Sequence, residues 1–141
     1  MRTATTFLAA VALSACASAP AVHDHWLEGV TYAPIGNATG MKAAFLIGSP
    51  SQPGLYTIRV HIEDGGLMPP HSHPDDRMIT VLSGVLHYGF GTIADPNATK
   101  VYPAGSTFMA KANEPHYAIG KGDAVYQESG MAPTGTKWLG Q

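Results

Sequence analysis

An all-β domain is predicted by this sequence, and three observations carry the prediction. Glycine (16 residues) and proline (11) are plentiful while charged residues make up 13%, a balance that suits a compact, turn-rich chain. No segment sustains a helical apolar period over three turns. From Trp26 onward, short alternating segments are separated by turn chemistry, as a β-sandwich or barrel requires. At 141 residues the chain can build one domain with its own core and is short for two.

Ahead of that domain, Arg2 precedes the apolar run Phe7-Leu8-Ala9-Ala10-Val11-Ala12-Leu13, which is too short to span a bilayer and is laid out like a secretory signal. It ends in Leu13-Ser14-Ala15-Cys16, which resembles a bacterial lipobox. Residues 1–15 are therefore expected to be a signal peptide, Cys16 the lipidated residue and residues 16–25 a flexible tether. The alternative is a plain signal cut near Ala17-Ser18-Ala19, with Cys16 discarded. Ala17 after the cysteine, rather than aspartate, implies the outer membrane facing the periplasm, with the lipid as the membrane attachment. A single cysteine excludes an intrachain disulfide on either reading.

The folded domain is expected over residues 26–141. Residues 41–47 form its first good strand, closed by Gly48-Ser49-Pro50-Ser51-Gln52-Pro53-Gly54. Residues 55–63 follow, with Tyr56, Ile58, Val60 and Ile62 on one face and Thr57, Arg59 and His61 on the other. Asp64-Gly65-Gly66 is predicted to turn this strand. Residues 77–82 and 85–90 are joined by Ser83-Gly84, the two-residue connection of a hairpin. After the break at Asp95-Pro96-Asn97, strands are expected at 100–102, 106–111, 117–119 and 124–127, with turns at Pro103-Ala104-Gly105 and 120–123. If Arg77, Ile79 and Val81 point inward, Met78, Thr80 and Leu82 point outward. Either the segment around residues 26–32 or a second copy of the chain, in a homodimer, is expected to cover that apolar face.

The densest chemistry lies in Pro69-Pro70-His71-Ser72-His73-Pro74-Asp75-Asp76-Arg77. Two histidines one residue apart in a β segment project to the same face, and a third from a neighbouring strand gives the ligand number usual in a catalytic metal site. Other candidates read as structure. His61 and His87 are taken as wall histidines, Met68 and Met109 as packing, and His23-Asp24-His25 as tail without a third ligand. Asn37-Ala38-Thr39 and Asn97-Ala98-Thr99 match a glycosylation acceptor but read as turns.

These residues resemble the cupin family of small β-barrels, also called RmlC-like. The family's first motif is a glycine, five residues, His-X-His, three or four residues, glutamate, six residues and glycine. Gly65, His71-Ser72-His73, Arg77 and Gly84 fall at those spacings. The second motif, a Pro-X-Gly turn and a later histidine, is resembled by Pro103-Ala104-Gly105 and His116, with a longer gap. The resemblance covers about Gly36 to the end and implies a double-stranded β-helix, or jelly-roll barrel. It also implies that His71, His73 and His116 are metal ligands. Where the family has its glutamate ligand this chain has Arg77, which cannot ligate and stays protonated. Asp75 or Asp76 then either supplies the missing carboxylate or pairs with Arg77 and holds it aside, or else water fills the position.

Two function classes follow. In the first, the chain is an enzyme binding one divalent ion, Fe, Mn, Zn, Ni or Cu, and the resemblance implies oxygenase, isomerase or lyase chemistry on a small molecule. Tyr88, Tyr117 or Glu114 is then the candidate proton donor or acceptor, Glu114 having turn capping as its alternative. In the second, the barrel is a metal-free binding or sensing module whose Arg77 grips a small anion. A structural envelope protein has only the lipid anchor in its favour. A net charge of −2 without a basic stripe argues against a nucleic-acid partner. No nucleophile arrangement or phosphate-cradling loop is present in the sequence.

Overall fold

The structure, a computed structural model, describes residues 30–139. The expected signal peptide, Cys16, the expected 16–25 tether with His23 and His25, and residues 26–29 lie outside the described residues. Within them the chain forms β1 (Ala33–Pro34), β2 (Thr39–Ile47), β3 (Gly54–Ser72), β4 (Arg77–Ser83), β5 (Val85–Phe90), β6 (Lys100–Pro103), β7 (Thr107–Ala110), β8 (His116–Ile119), β9 (Ala124–Ala132) and β10 (Lys137–Trp138). All pairings are antiparallel, and the main path of the sheet runs β6-β5-β8-β3-β9-β4-β7. β2 and β10 also pair with β3, and β1 with β2.

The bend of β3 makes this sheet a barrel. The sequence predicts a turn at Asp64-Gly65-Gly66, yet the strand continues through it. Gly65 has φ +74° and its N–H donates to the Gly120 carbonyl at 3.0 Å, while Gly120 N–H donates to Gly66 O at 2.8 Å. A Cβ on Gly120 would run into the Glu63 carbonyl, so the two backbones approach only because Gly120 lacks a side chain, while Gly65 is needed for its positive φ. The diglycine therefore bends the strand instead of reversing it. Its first half pairs with β2 and β9, its second with β8 and β10.

The Ser83-Gly84 junction differs from the sequence expectation in a related way. β4 pairs with β9 and β7, whereas β5 pairs with β8 and β6, so the two strands are not a hairpin. Gly84, at φ +71°, carries the chain from one half of the barrel to the other, and a Cβ there would meet the Asp123 carbonyl. Alternation along β4 matches expectation. Arg77, Ile79 and Val81 are buried, while Met78 and Leu82 remain about half exposed with Met109 opposite Met78.

Side chains from both halves meet in one core. Val60, Ile62, Ile79, Val81 and Tyr126 come from one half, and Leu86, Tyr88, Tyr102 and Ala118 from the other. The Tyr102 ring stacks on Phe108 with centroids 3.9 Å apart, which seals the seam between β6 and β7. Met68 packs in this core as expected, and Met109 lies on the outside.

Candidate metal centre

His71 projects from the end of β3 and stands opposite His116 of β8 in the strand register. His73 follows β3 directly. One potential ligand atom from each of the three histidines lies within 4.8 Å of the other two, and all three residues are buried. Ring centroids are separated by 4.8 Å (His71–His73), 4.3 Å (His71–His116) and 5.1 Å (His73–His116). Trp138 on β10 packs beside His71, at 5.4 Å between ring centres.

Each imidazole has one nitrogen committed to a backbone carbonyl. His71 Nδ1 pairs with Pro69 O at 2.8 Å, His73 Nδ1 with Gly135 O at 2.7 Å, and His116 Nδ1 with Glu114 O at 2.8 Å. A carbonyl oxygen only accepts, so each Nδ1 carries the hydrogen and each neutral ring keeps its lone pair on Nε2. Burial disfavours the charged form. Desolvation, reinforced by the other histidines, lowers His71 from 6.5 to about 3. Desolvation and the Arg77 charge lower His73 to about 4, and desolvation lowers His116 as well. Three neutral imidazoles, each held in one tautomer by a backbone carbonyl, suit a divalent ion of the Fe, Mn, Zn, Ni or Cu group.

Arg77 is buried and engaged. Its Nη1 donates to Glu128 Oε2 at 2.8 Å, its Nη2 to Thr134 Oγ1 at 2.9 Å, and its Nε lies 3.7 Å from Asp75 Oδ1. The guanidinium also sits over the Tyr56 ring, 5.5 Å from its centre. Asp75 accepts hydrogen bonds from the Tyr56 and Thr134 hydroxyls. Gly130 makes room for this cluster, since a Cβ there would strike both the Asp75 carboxylate and the Tyr56 hydroxyl. Of the two alternatives for Asp75, the geometry is that of a partner holding Arg77 aside.

The other accessory candidates lie elsewhere. Asp76 is exposed, accepting from Ala112 N at 2.8 Å and Lys111 Nζ at 3.2 Å, so it braces a surface turn. The Glu114 carboxylate is exposed at the same turn, and its backbone carbonyl is the part that orients His116. Tyr117 donates its hydroxyl to Asp95 O at 3.0 Å, away from the histidines. Tyr88 is buried with its ring stacked on His116, centroids 5.3 Å apart, and its hydroxyl has no partner among the described residues. His61 and His87 are half-buried and outside the histidine cluster.

Glu128 is the residue that sequence reasoning missed. The expected strand stops at 127, whereas β9 continues to Ala132. Extending the alternation of the buried Ala124 and Tyr126 by one step places Glu128 inward. With His71, His73 and Arg77, it lines a cavity of about 270 Å³. Most of the remaining wall is apolar, including Ile35, Ala43, Phe45, Ile58, Val60 and Met68. Thr134, Gly135 and Thr136 close one side.

Comparison with known proteins agrees with this architecture. A family model described as a cupin domain matches residues 58–127. The chain is 33% identical over 117 residues to germin-like protein 5-1 of Oryza sativa subsp. japonica, covering 77% of this chain and 52% of that protein. The chain thus spans about half the length of that curated relative. Among solved structures, an RmlC-like cupin from Shewanella frigidimarina superposes with TM-score 0.62 at 19% identity, covering 79% of this chain and 91% of that one. An oxalate oxidase structure superposes with TM-score 0.56 at 24% identity, covering 71% of this chain and 55% of that one. With the bent β3, the inward histidines and the family match in agreement, the chain belongs to the cupin domain family.

Proposed function

We propose that this cupin binds one divalent metal ion through His71, His73 and His116 and acts as a metal-dependent enzyme on a small molecule, in the oxygenase, isomerase or lyase range. The single observation that carries the reading is the triple Nδ1–carbonyl pattern, which leaves three unprotonated nitrogens on neighbouring rings. Such an ion, when bound, polarises a substrate oxygen or activates dioxygen or water. Arg77 does not oppose it, because Glu128 and Asp75 face the guanidinium and outnumber its charge. The chain's own contribution is to hold the rings in one tautomer, to shield the site within the barrel and to enclose the substrate among apolar walls. The similarity to germin-like protein 5-1 supports the family and nothing finer.

The same proposal places the protein outside the cytoplasm, anchored by a lipid on Cys16 at the outer membrane, on the strength of residues 13–16. Elemental analysis of protein purified from its native envelope, before any chelating resin, tests the metal reading. About one ion per chain, with activity lost to chelator, is the expected result. Metal-free protein that takes up none of the five candidate ions overturns it.

A further inference from the structure

The cavity offers more than a metal site, because its charged and ring groups present acceptors almost alone. All three histidine Nδ1–H groups are spent on backbone carbonyls. Arg77 Nη1 donates to Glu128 and Nη2 to Thr134, while Nε, 3.7 Å from Asp75, is buried away from the cavity without a hydrogen bond to the described residues. Two carboxylates therefore surround one guanidinium, leaving an excess of negative charge in a buried cluster. Glu128 spends Oε2 on Arg77, and its Oε1 is bonded to none of the described residues. With Oε2 held by Arg77, the Glu128 side chain, 8% exposed, lines the cavity, and Oε1 is the carboxylate atom left to face it.

Resting on the metal reading for its chemistry, we propose that the site selects an uncharged, hydroxyl-bearing, largely apolar small molecule, whose hydroxyl donates to Glu128 Oε1. Arg77 is then a positioning residue that fixes Glu128, and not an anion receptor. A carboxylate entering this cavity would meet Glu128 at once and would have to displace it from Arg77, leaving a buried charge unpaired. A hydroxyl pays no such cost and satisfies the open acceptor. The apolar wall of Ile35, Ala43, Phe45, Ile58, Val60 and Met68 suits a hydrocarbon or aromatic body. The volume of about 270 Å³ limits that body to a small one.

The test uses the full mature chain, stripped of metal by chelator, and three probes of matched shape titrated by NMR at neutral pH. Phenol supplies a hydroxyl donor, anisole removes it, and benzoate replaces it with an anion. Phenol is expected to bind roughly tenfold more tightly than either of the others, as a site built around one hydrogen bond should require. Glu128→Gln is expected to remove that margin and to raise benzoate affinity, since Arg77 then loses the nearer of its two counter-charges and the cluster its excess of negative charge. Glu128→Asp, keeping the charge, should retain part of the preference for phenol. Benzoate binding equal to phenol in the unmodified protein overturns the proposal, as does an unchanged ranking in Glu128→Gln or failure of phenol to bind at all. If Glu128→Gln does not fold, the ranking in the unmodified protein decides alone. Metal titration of the same preparation separates the two readings. Lost metal binding with the phenol ranking intact overturns only the metal assignment, and the reverse result overturns only this one.

Discussion

Arg77 and Glu128 form a buried ion pair, Nη1 to Oε2 at 2.8 Å, with side-chain exposures of 7% and 8%. They belong to adjacent strands, and because Glu128 stands opposite Ile79, Arg77 is its diagonal neighbour. The family's glutamate position is thus occupied by a cation whose carboxylate comes from another strand. Desolvation works against the Arg77 charge, but Glu128 and the other anionic partners outweigh it and its pKa is raised.

Breaking that pair on one side should be costly. Arg77→Met leaves Glu128 and Asp75 buried without their counter-charge, and a loss of about 3–5 kcal/mol is expected. Removing Glu128 as well, in Arg77→Met/Glu128→Met, should recover a large part of it. Urea unfolding of both variants measures this. A double variant no more stable than the single one would show that the pair is not the source of the loss.

The three histidines should act as a unit. His73→Ala leaves two ligands and should weaken metal binding by roughly tenfold or more. The core cluster contains none of the three histidines, so far-ultraviolet circular dichroism should remain that of the parent. Calorimetric titration with zinc checks the first point, and full occupancy in the variant would remove His73 from the site.

Acid should destabilise the metal-free protein earlier than carboxylates alone would. His71 titrates at 6.5 when unfolded and about 3 when folded, and His73 at 6.5 and about 4. Between those values the unfolded chain binds protons that the folded chain refuses, so stability rises with pH. The contribution is complete above 6.5, declines as pH falls below it and is exhausted near the folded values. Urea midpoints should therefore drop between roughly pH 6.5 and 5, above the range where ordinary carboxylates titrate. A flat midpoint across that interval would contradict the buried neutral imidazoles.

Cys16→Ser should prevent lipid attachment and leave a soluble or unprocessed protein. The lipobox-like residues 13–16 are the ground for this expectation. Fractionation of cells carrying each form tests it, and a serine variant that partitions with membranes as the parent does would exclude Cys16 as the anchor.

Local alternation was enough to place Tyr56, Val60, Ile79 and Val81 inward and to align His71 with His73, because side-chain parity is a property of a strand by itself. Resemblance to the family's second motif, despite its longer gap here, implied His116 as a member of the same group, and the three rings do stand together. Strand partnership was not local. Whether Ser83-Gly84 closed a hairpin or led to the opposite half of the barrel depended on which backbones could approach, and Gly84 against Asp123 settled it. The same holds for the bend at Gly65 and Gly66, which Gly120 meets from a distant part of the chain. Above all, the partner of Arg77 lies 51 residues away. Asp75 and Asp76 were nearest in sequence, yet one carboxylate holds the cation's flank and the other a surface turn. Only the register of β9 against β4 brings Glu128 to the guanidinium, since a buried charge takes whichever counter-charge the closed barrel places within reach.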